Sequence, residues 1–91
     1  MKRLDAMVYG RVQGVSFRYY TQQKANELNL TGWVANQPDR SVHVVAEGPT
    51  EQLEQMLKWL WQGSPAALVE NVSTNWQEAT GEFNRFSIRW F

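Results

Sequence analysis

The chain has 91 residues, nine of them basic and nine acidic, for a formal net charge of zero, and it contains no cysteine. That length suits one domain, spanning residues 1–91, whose core would bury about 60% of the surface exposed by the unfolded chain. The absence of Cys excludes disulfides, thiolate metal sites and a thiol nucleophile, and the neutral balance argues against the basic face of a duplex nucleic-acid binder.

In chain order, Leu4, Ala6 and Val8 alternate with Asp5, Met7 and Tyr9, which predicts a half-buried strand ending at Gly10. Residues 11–17 form a connection, and a helix is predicted from about Phe17 to Asn29, with Thr21, Ala25 and Leu28 on one stripe. Thr31-Gly32 marks its exit, and a second strand runs near Trp33 to Asn36. Gln37-Pro38-Asp39-Arg40 is a turn signal, and Val42, Val44 and Ala46 alternate with His43, Val45 and Glu47 in a third strand that closes a hairpin. Thr50 is placed as the N-cap of a second helix, with Glu51 and Glu54 near its positive end. Leu53, Met56, Leu57 and Leu60 give that helix an i, i+3, i+4, i+7 stripe, and Gly63-Ser64-Pro65 stops it. Residues 68–76 form a weaker strand, and Phe86, Ile88 and Trp90 alternate in a last short one. This order predicts an α+β, ferredoxin-like split βαβ sandwich, an antiparallel sheet of four to five strands with two helices on one face. Many unrelated proteins share that architecture, so it carries little functional information.

Met1-Lys2-Arg3-Leu4-Asp5 has the basic residues of a signal peptide, but Asp5 and Gly10-Arg11 interrupt any apolar run. No stretch approaches the ~20 apolar residues that span a bilayer. A soluble cytoplasmic domain with no membrane partner is expected.

The segment with chemical potential is Gly10-Arg11-Val12-Gln13-Gly14-Val15-Ser16-Phe17-Arg18, between a strand and a helix's first turn. Glycines there permit positive φ and let backbone N–H groups converge. The helix start adds free donors and partial positive charge, and Arg18 could close a planar fork over a phosphate-sized anion. A tight turn beside a solvated charge has the same local pattern. The glycine spacing is neither that of a P-loop nor that of a dinucleotide fingerprint.

The full string, Gly10-x-Val12-Gln13-Gly14-Val15-x-Phe17-Arg18, resembles the first signature of the acylphosphatase family at every fixed position. Gly32-Trp33-Val34-Ala35-Asn36 is similar to the second signature, which continues through Val42 and Gly48, and the resemblance extends to Phe86-Ser87-Ile88-Arg89. One departure is Arg40, where the family usually has a glycine four residues after the Asn. Either Arg40 adopts a left-handed conformation or the turn takes another form, with Pro38 favouring type I geometry. The resemblance implies hydrolysis of a carboxyl–phosphate mixed anhydride to carboxylate and inorganic phosphate, without metal, cofactor or covalent intermediate. It assigns phosphate binding to Arg18 and the loop amides around Gln13, Gly14, Val15, Ser16 and Phe17, and the orientation of the attacking water to Asn36. The implied partners are a small-molecule acyl phosphate and inorganic phosphate, as product and competitive inhibitor. A monomer is expected, with no nucleic-acid partner.

Other residues are assigned no catalytic part. His43, the only histidine, falls on the sheet's open face and lacks companions for a metal site. Ser16 has no neighbouring base in sequence to make it a nucleophile, and Arg11 reads as a solvated charge. Tyr19, Tyr20, Trp61, Trp76 and Phe91 could form either an apolar rim for the acyl group or a self-association patch. The alternative function is a non-catalytic phosphate-, anion- or RNA-binding module of the same fold. RNA-recognition sheets carry basic and aromatic residues on adjacent central strands, and here those strands offer only Trp33 and His43.

Overall fold

The computed structural model describes residues 1–90; Phe91 lies outside the described residues. The elements are β1 (Lys2–Arg11), α1 (Phe17–Glu27), β2 (Thr31–Asn36), β3 (Val42–Gly48), α2 (Thr50–Gln62), β4 (Leu68–Glu78) and β5 (Phe86–Arg89). All five strands form one sheet in the order β4-β1-β3-β2-β5. The expected ferredoxin-like α+β sandwich is present, with both helices on one face: α1 packs on β2 and β5, and α2 on β4, β1 and β3. The fifth strand makes the sheet mixed, because β5 joins the edge of β2 in parallel while the other pairs are antiparallel.

The period-2 pattern of β1 and β3 puts Leu4, Ala6, Val8, Val42, Val44 and Ala46 into the core against Leu53, Met56 and Leu60 of α2. Several boundaries differ from the sequence reading. Thr50 is the first helical residue of α2 rather than its cap, and Pro49 is the cap, with φ −64° and ψ 146°. The pyrrolidine ring fixes that φ, which already suits the extended cap conformation one residue earlier. Helix α1 ends at Glu27 and is closed by Asn29 at φ 58°, not by Thr31-Gly32. Leu30 N–H reaches Ala25 C=O (2.8 Å) and Asn29 N–H reaches Asn26 C=O (3.1 Å), the bonding of a Schellman turn. This frees Thr31 and Gly32 to pair in β2. Trp90 lies beyond the end of β5.

The face without helices is covered at one end. Glu47, which alternation assigns to that face, is only 4% exposed. Its carboxylate accepts the Thr80 N–H (2.9 Å), the Thr80 hydroxyl (2.9 Å) and the Gly81 N–H (3.0 Å), with Arg3 Nη1 at 3.7 Å. Burial pushes this carboxyl up, but the donors from Thr80 and Gly81 and the Arg3 charge outweigh it and hold the group below its ordinary range. Phe83 lies near both the Arg3 and Arg89 guanidiniums, so the β4–β5 connection crosses the sheet at this end. Farther along, His43 sits on the same face as expected, 2.6 Å from Asp5 Oδ1 and edge-on to Trp33. Among the described residues no helix is long and apolar enough to cross a membrane.

Candidate active site

The site forms at the end of the sheet where β1 and β2 finish. β1 runs on past Gly10 to Arg11 through a bulge between Tyr9 and Gly10. Gly10 has φ 126°, and a Cβ there would lie 2.2 Å from the Leu68 carbonyl oxygen, so only glycine allows this approach to β4. The positive φ of Gly10 therefore serves the strand, whereas Gly14 (φ 73°) and Ser16 (φ 58°) turn the loop itself. Ser16 is the residue before α1, yet its left-handed backbone is unlike the extended one usual at an N-cap, and its side chain makes no capping bond. A left-handed non-glycine residue costs about 1–2 kcal/mol, a cost the packed surroundings must sustain.

Those surroundings are tight. Val12 and Phe17 are buried at the two ends of the loop, and Phe17 packs against the Trp59 ring at 5.6 Å. The buried Ser64 hydroxyl donates to Val15 C=O (2.9 Å), fixing the loop to the segment after α2. Gln13 Nε2 donates to Gln37 C=O and Ser41 C=O, both at 2.9 Å, fixing it to the β2–β3 turn. Helix α1 has no acidic residue in its first turn, and its first backbone bond runs from Tyr20 N–H to Ser16 C=O. The preceding N–H groups, of Phe17, Arg18 and Tyr19, thus have no carbonyl of their own helix to meet.

The residues that carry these N–H groups border a cleft of about 440 Å³ lined by Val12, Gly14, Ser16, Phe17, Arg18, Tyr19, Asn36, Ile88 and Trp90. Arg18 has no carboxylate partner among the described residues; its guanidinium carbon instead lies 4.0 Å from the centre of the Trp90 ring. A ring over one guanidinium face leaves the in-plane N–H donors for an anion. Asn36 ends β2 on the helix-bearing face, level with Val42 of β3. Only two buried side-chain polar atoms among the described residues lack a hydrogen-bond partner: Arg3 Nε, at the covered far end, and Oδ1 of Asn36, a residue that lines both this cleft and a second depression with Trp33, Gln37, Pro38 and His43.

Sequence reasoning named Gly14, Ser16, Phe17, Arg18 and Asn36, and the structure brings them together. It does not bring the Gln13 and Val15 side chains into the cleft. The Gln13 amide faces the hairpin and Val15 packs on the core, so only their backbone can contribute to a cradle. Arg11 lies in a separate depression with Arg40. Of the aromatics offered as an apolar rim, Tyr19 does line the cleft; Val12, Ile88 and Trp90 were not foreseen as lining residues, and the one available signal was the parity of Ile88 and Trp90 in the last strand. Of the surplus aromatics, Tyr20, Trp61 and Trp76 stay outside the cleft. Arg40 adopts the left-handed form at φ 76°, in a turn closed by Arg40 N–H to Gln37 C=O (3.1 Å) and Gln37 N–H to Ser41 C=O (2.9 Å). Asp39 Oδ1 accepts both the hydroxyl and the N–H of Ser41, which lowers its pKa.

The family model for acylphosphatase matches residues 4–88. The chain belongs to the acylphosphatase family. It is 48% identical over 86 residues to an acylphosphatase of Pelotomaculum thermopropionicum, an alignment covering 94% of each chain. The crystal structure of acylphosphatase from Bacillus subtilis superposes with a TM-score of 0.96 at 38% identity, covering 99% of this chain and 100% of that one. A Coxiella burnetii acylphosphatase structure gives 0.87 at 40% identity over 97% of this chain and 92% of that one. Membership of the acylphosphatase family supports a hydrolase acting on acyl phosphates.

Proposed function

We propose that the protein hydrolyses acyl phosphates by in-line attack of a water oriented by Asn36 on a phosphoryl group held by Arg18 and the loop amides from Gln13 to Arg18. The observation that carries this reading is that Asn36, whose buried Oδ1 has no partner, lines the same cleft as an Arg18 that has no carboxylate partner among the described residues. A buried acceptor without a donor costs about 1–3 kcal/mol, and a bound water would satisfy it. In the reaction the water oxygen forms a bond to phosphorus while the phosphorus–acyl oxygen bond breaks, its electron pair leaving on the carboxylate. A carboxylate is a good leaving group, so no strong general acid is required. An amide cannot take the water's proton efficiently, so the proton passes to a phosphoryl oxygen. Positioning and stabilisation of the equatorial oxygens then carry the acceleration. The chemistry assigned to these residues needs neither metal nor cofactor. The reading is of a cytoplasmic monomer without membrane or nucleic-acid partners; the neutral net charge supports only the last of these.

The test is benzoyl phosphate hydrolysis, followed by ultraviolet absorbance with and without EDTA. Turnover insensitive to EDTA is expected. Arg18→Ala abolishes both turnover and competition by inorganic phosphate, while Asn36→Ala lowers kcat by roughly 10²–10⁴ with phosphate inhibition largely intact. Phosphate binding without any turnover would replace the enzyme with an anion-binding module.

A further inference from the structure

The two halves of the proposed site stand on different elements that do not touch through the sheet. The cradle follows β1, the water-holding Asn36 ends β2, and β3 lies between those strands. The last residue pair joining β1 to β3 is Val8 with Val42; beyond it β1 pairs only with β4. The loop that leaves β1 therefore has no ladder to set its distance from Asn36. In-line attack requires that distance to be held closely, since a displacement of about 1 Å can cost roughly 10² in rate.

Gln13 supplies the missing connection. Its Nε2 donates one proton to Gln37 C=O and the other to Ser41 C=O, each at 2.9 Å. These carbonyls belong to the residues that close the hairpin, and Gln37 directly follows Asn36. No other hydrogen bond among the described residues joins residues 11–16 to the turn at 37–41. Two acceptors on one nitrogen also fix the orientation of the amide, because only its NH₂ end can serve both. The side chain takes no place in the cleft lining. We propose that Gln13 is a positioning residue, acting through the β2–β3 turn to hold Asn36 in line with the phosphate cradle. This rests on the functional reading above.

The informative substitution is Gln13→Met, which keeps the side chain's length and removes both donors. Each carbonyl retains a backbone bond, Gln37 C=O from Arg40 N–H and Ser41 C=O from Gln37 N–H, so the hairpin stays closed. Expected for Gln13→Met is a kcat on benzoyl phosphate lower by about 10–100-fold, with the inhibition constant for inorganic phosphate within about twofold of the parent. Gln13→Glu adds a readout that a purely structural role would not move. Its carboxylate faces two carbonyl oxygens, whereas its protonated form donates to one of them, so its kcat relative to the parent rises as pH falls. A Gln13→Met enzyme with parental kcat overturns the proposal. So does a loss of kcat matched by an equal weakening of phosphate inhibition, which would put the Gln13 side chain, and not only its backbone amide, in the cradle. An inactive parent, or an Asn36→Ala variant with parental kcat, overturns the functional reading and this inference together. A crippled Asn36→Ala beside an unaffected Gln13→Met removes the positioning role alone.

Discussion

Replacing Glu47 by Gln changes a charge while nearly preserving shape, at the end of the sheet opposite the cleft. The carboxylate receives the Thr80 N–H and hydroxyl and the Gly81 N–H, and Arg3 lies close by. A glutamine keeps one acceptor oxygen and turns an NH₂ toward donors, so at least one of them is left unsatisfied at about 1–3 kcal/mol. The bonds that survive lose their charge assistance, roughly halving their strength. Together these give a destabilisation of about 2–4 kcal/mol, a large share of the roughly 5–15 kcal/mol expected of a whole domain. At about 4–8 °C per kcal/mol, the Tm falls by about 8–32 °C. The loss is pH-dependent and its sign is fixed. Glu47's folded pKa lies below its ordinary 4.5, so its contribution is present above that pH and vanishes as pH falls through the folded value. The assay is urea unfolding of parent and Glu47→Gln from neutral pH down to about pH 3, both extrapolated to water. The stability gap should be widest near neutrality and close below pH 4.5. A gap under about 0.5 kcal/mol at neutral pH, or one unchanged in acid, would refute the assignment of Glu47 as the buried anchor of residues 79–81.

Two further outcomes follow from backbone and ring geometry. Arg40→Gly relieves a left-handed residue worth about 1–2 kcal/mol but frees the unfolded chain by about 0.4–1 kcal/mol. The net expectation is a gain of about 0.5–1 kcal/mol in thermal unfolding with kcat on benzoyl phosphate unchanged; no gain would mean the turn carries no strain at Arg40. Trp90→Ala removes an exposed cation–π contact of about 0.5–1 kcal/mol from Arg18, so the inhibition constant of inorganic phosphate should rise about two- to fivefold. Because Trp90 is 78% exposed, its unfolding midpoint should hardly move.

The element order and the loop that borders the cleft were legible because they rest on local signals. Alternation in β1 and β3, the leucine stripe of α2 and the glycine loop at a strand–helix junction all lie within a few residues of one another. Arg18 and Asn36 were legible as a pair only through the two family signatures, since no spacing rule says that positions 18 residues apart meet. What escaped depended on distant partners. The sense in which β5 joins the sheet is set by how the chain after β4 crosses the open face, and residues 79–85 carry no periodicity to announce it. The same crossing buries Glu47, which alternation alone assigns to solvent. Gln13 was read as a cradle residue because a loop sequence reveals its backbone's neighbours, while the carbonyls its side chain reaches lie 24 and 28 positions away. Pro49 took the cap from Thr50 because ring geometry at one residue outweighed the hydroxyl preference at the next.

The parallel docking of β5 against β2 settles which end of the molecule can be handled from outside. Parallel pairing brings residues 89 and 90 to the same rim as Asn36, while Lys2 starts β1 at the opposite rim, beside Gly48 and Glu78, in a molecule 30 Å along its longest axis. A fusion partner or surface linker attached ahead of Met1 would hang clear of the cleft. Trp90, by contrast, is itself at the mouth of the cleft, as the ring that covers Arg18. The two ends of the sheet are therefore not equivalent for attachment: the rim that carries Lys2 is remote from the cleft, and the rim that carries Trp90 borders it.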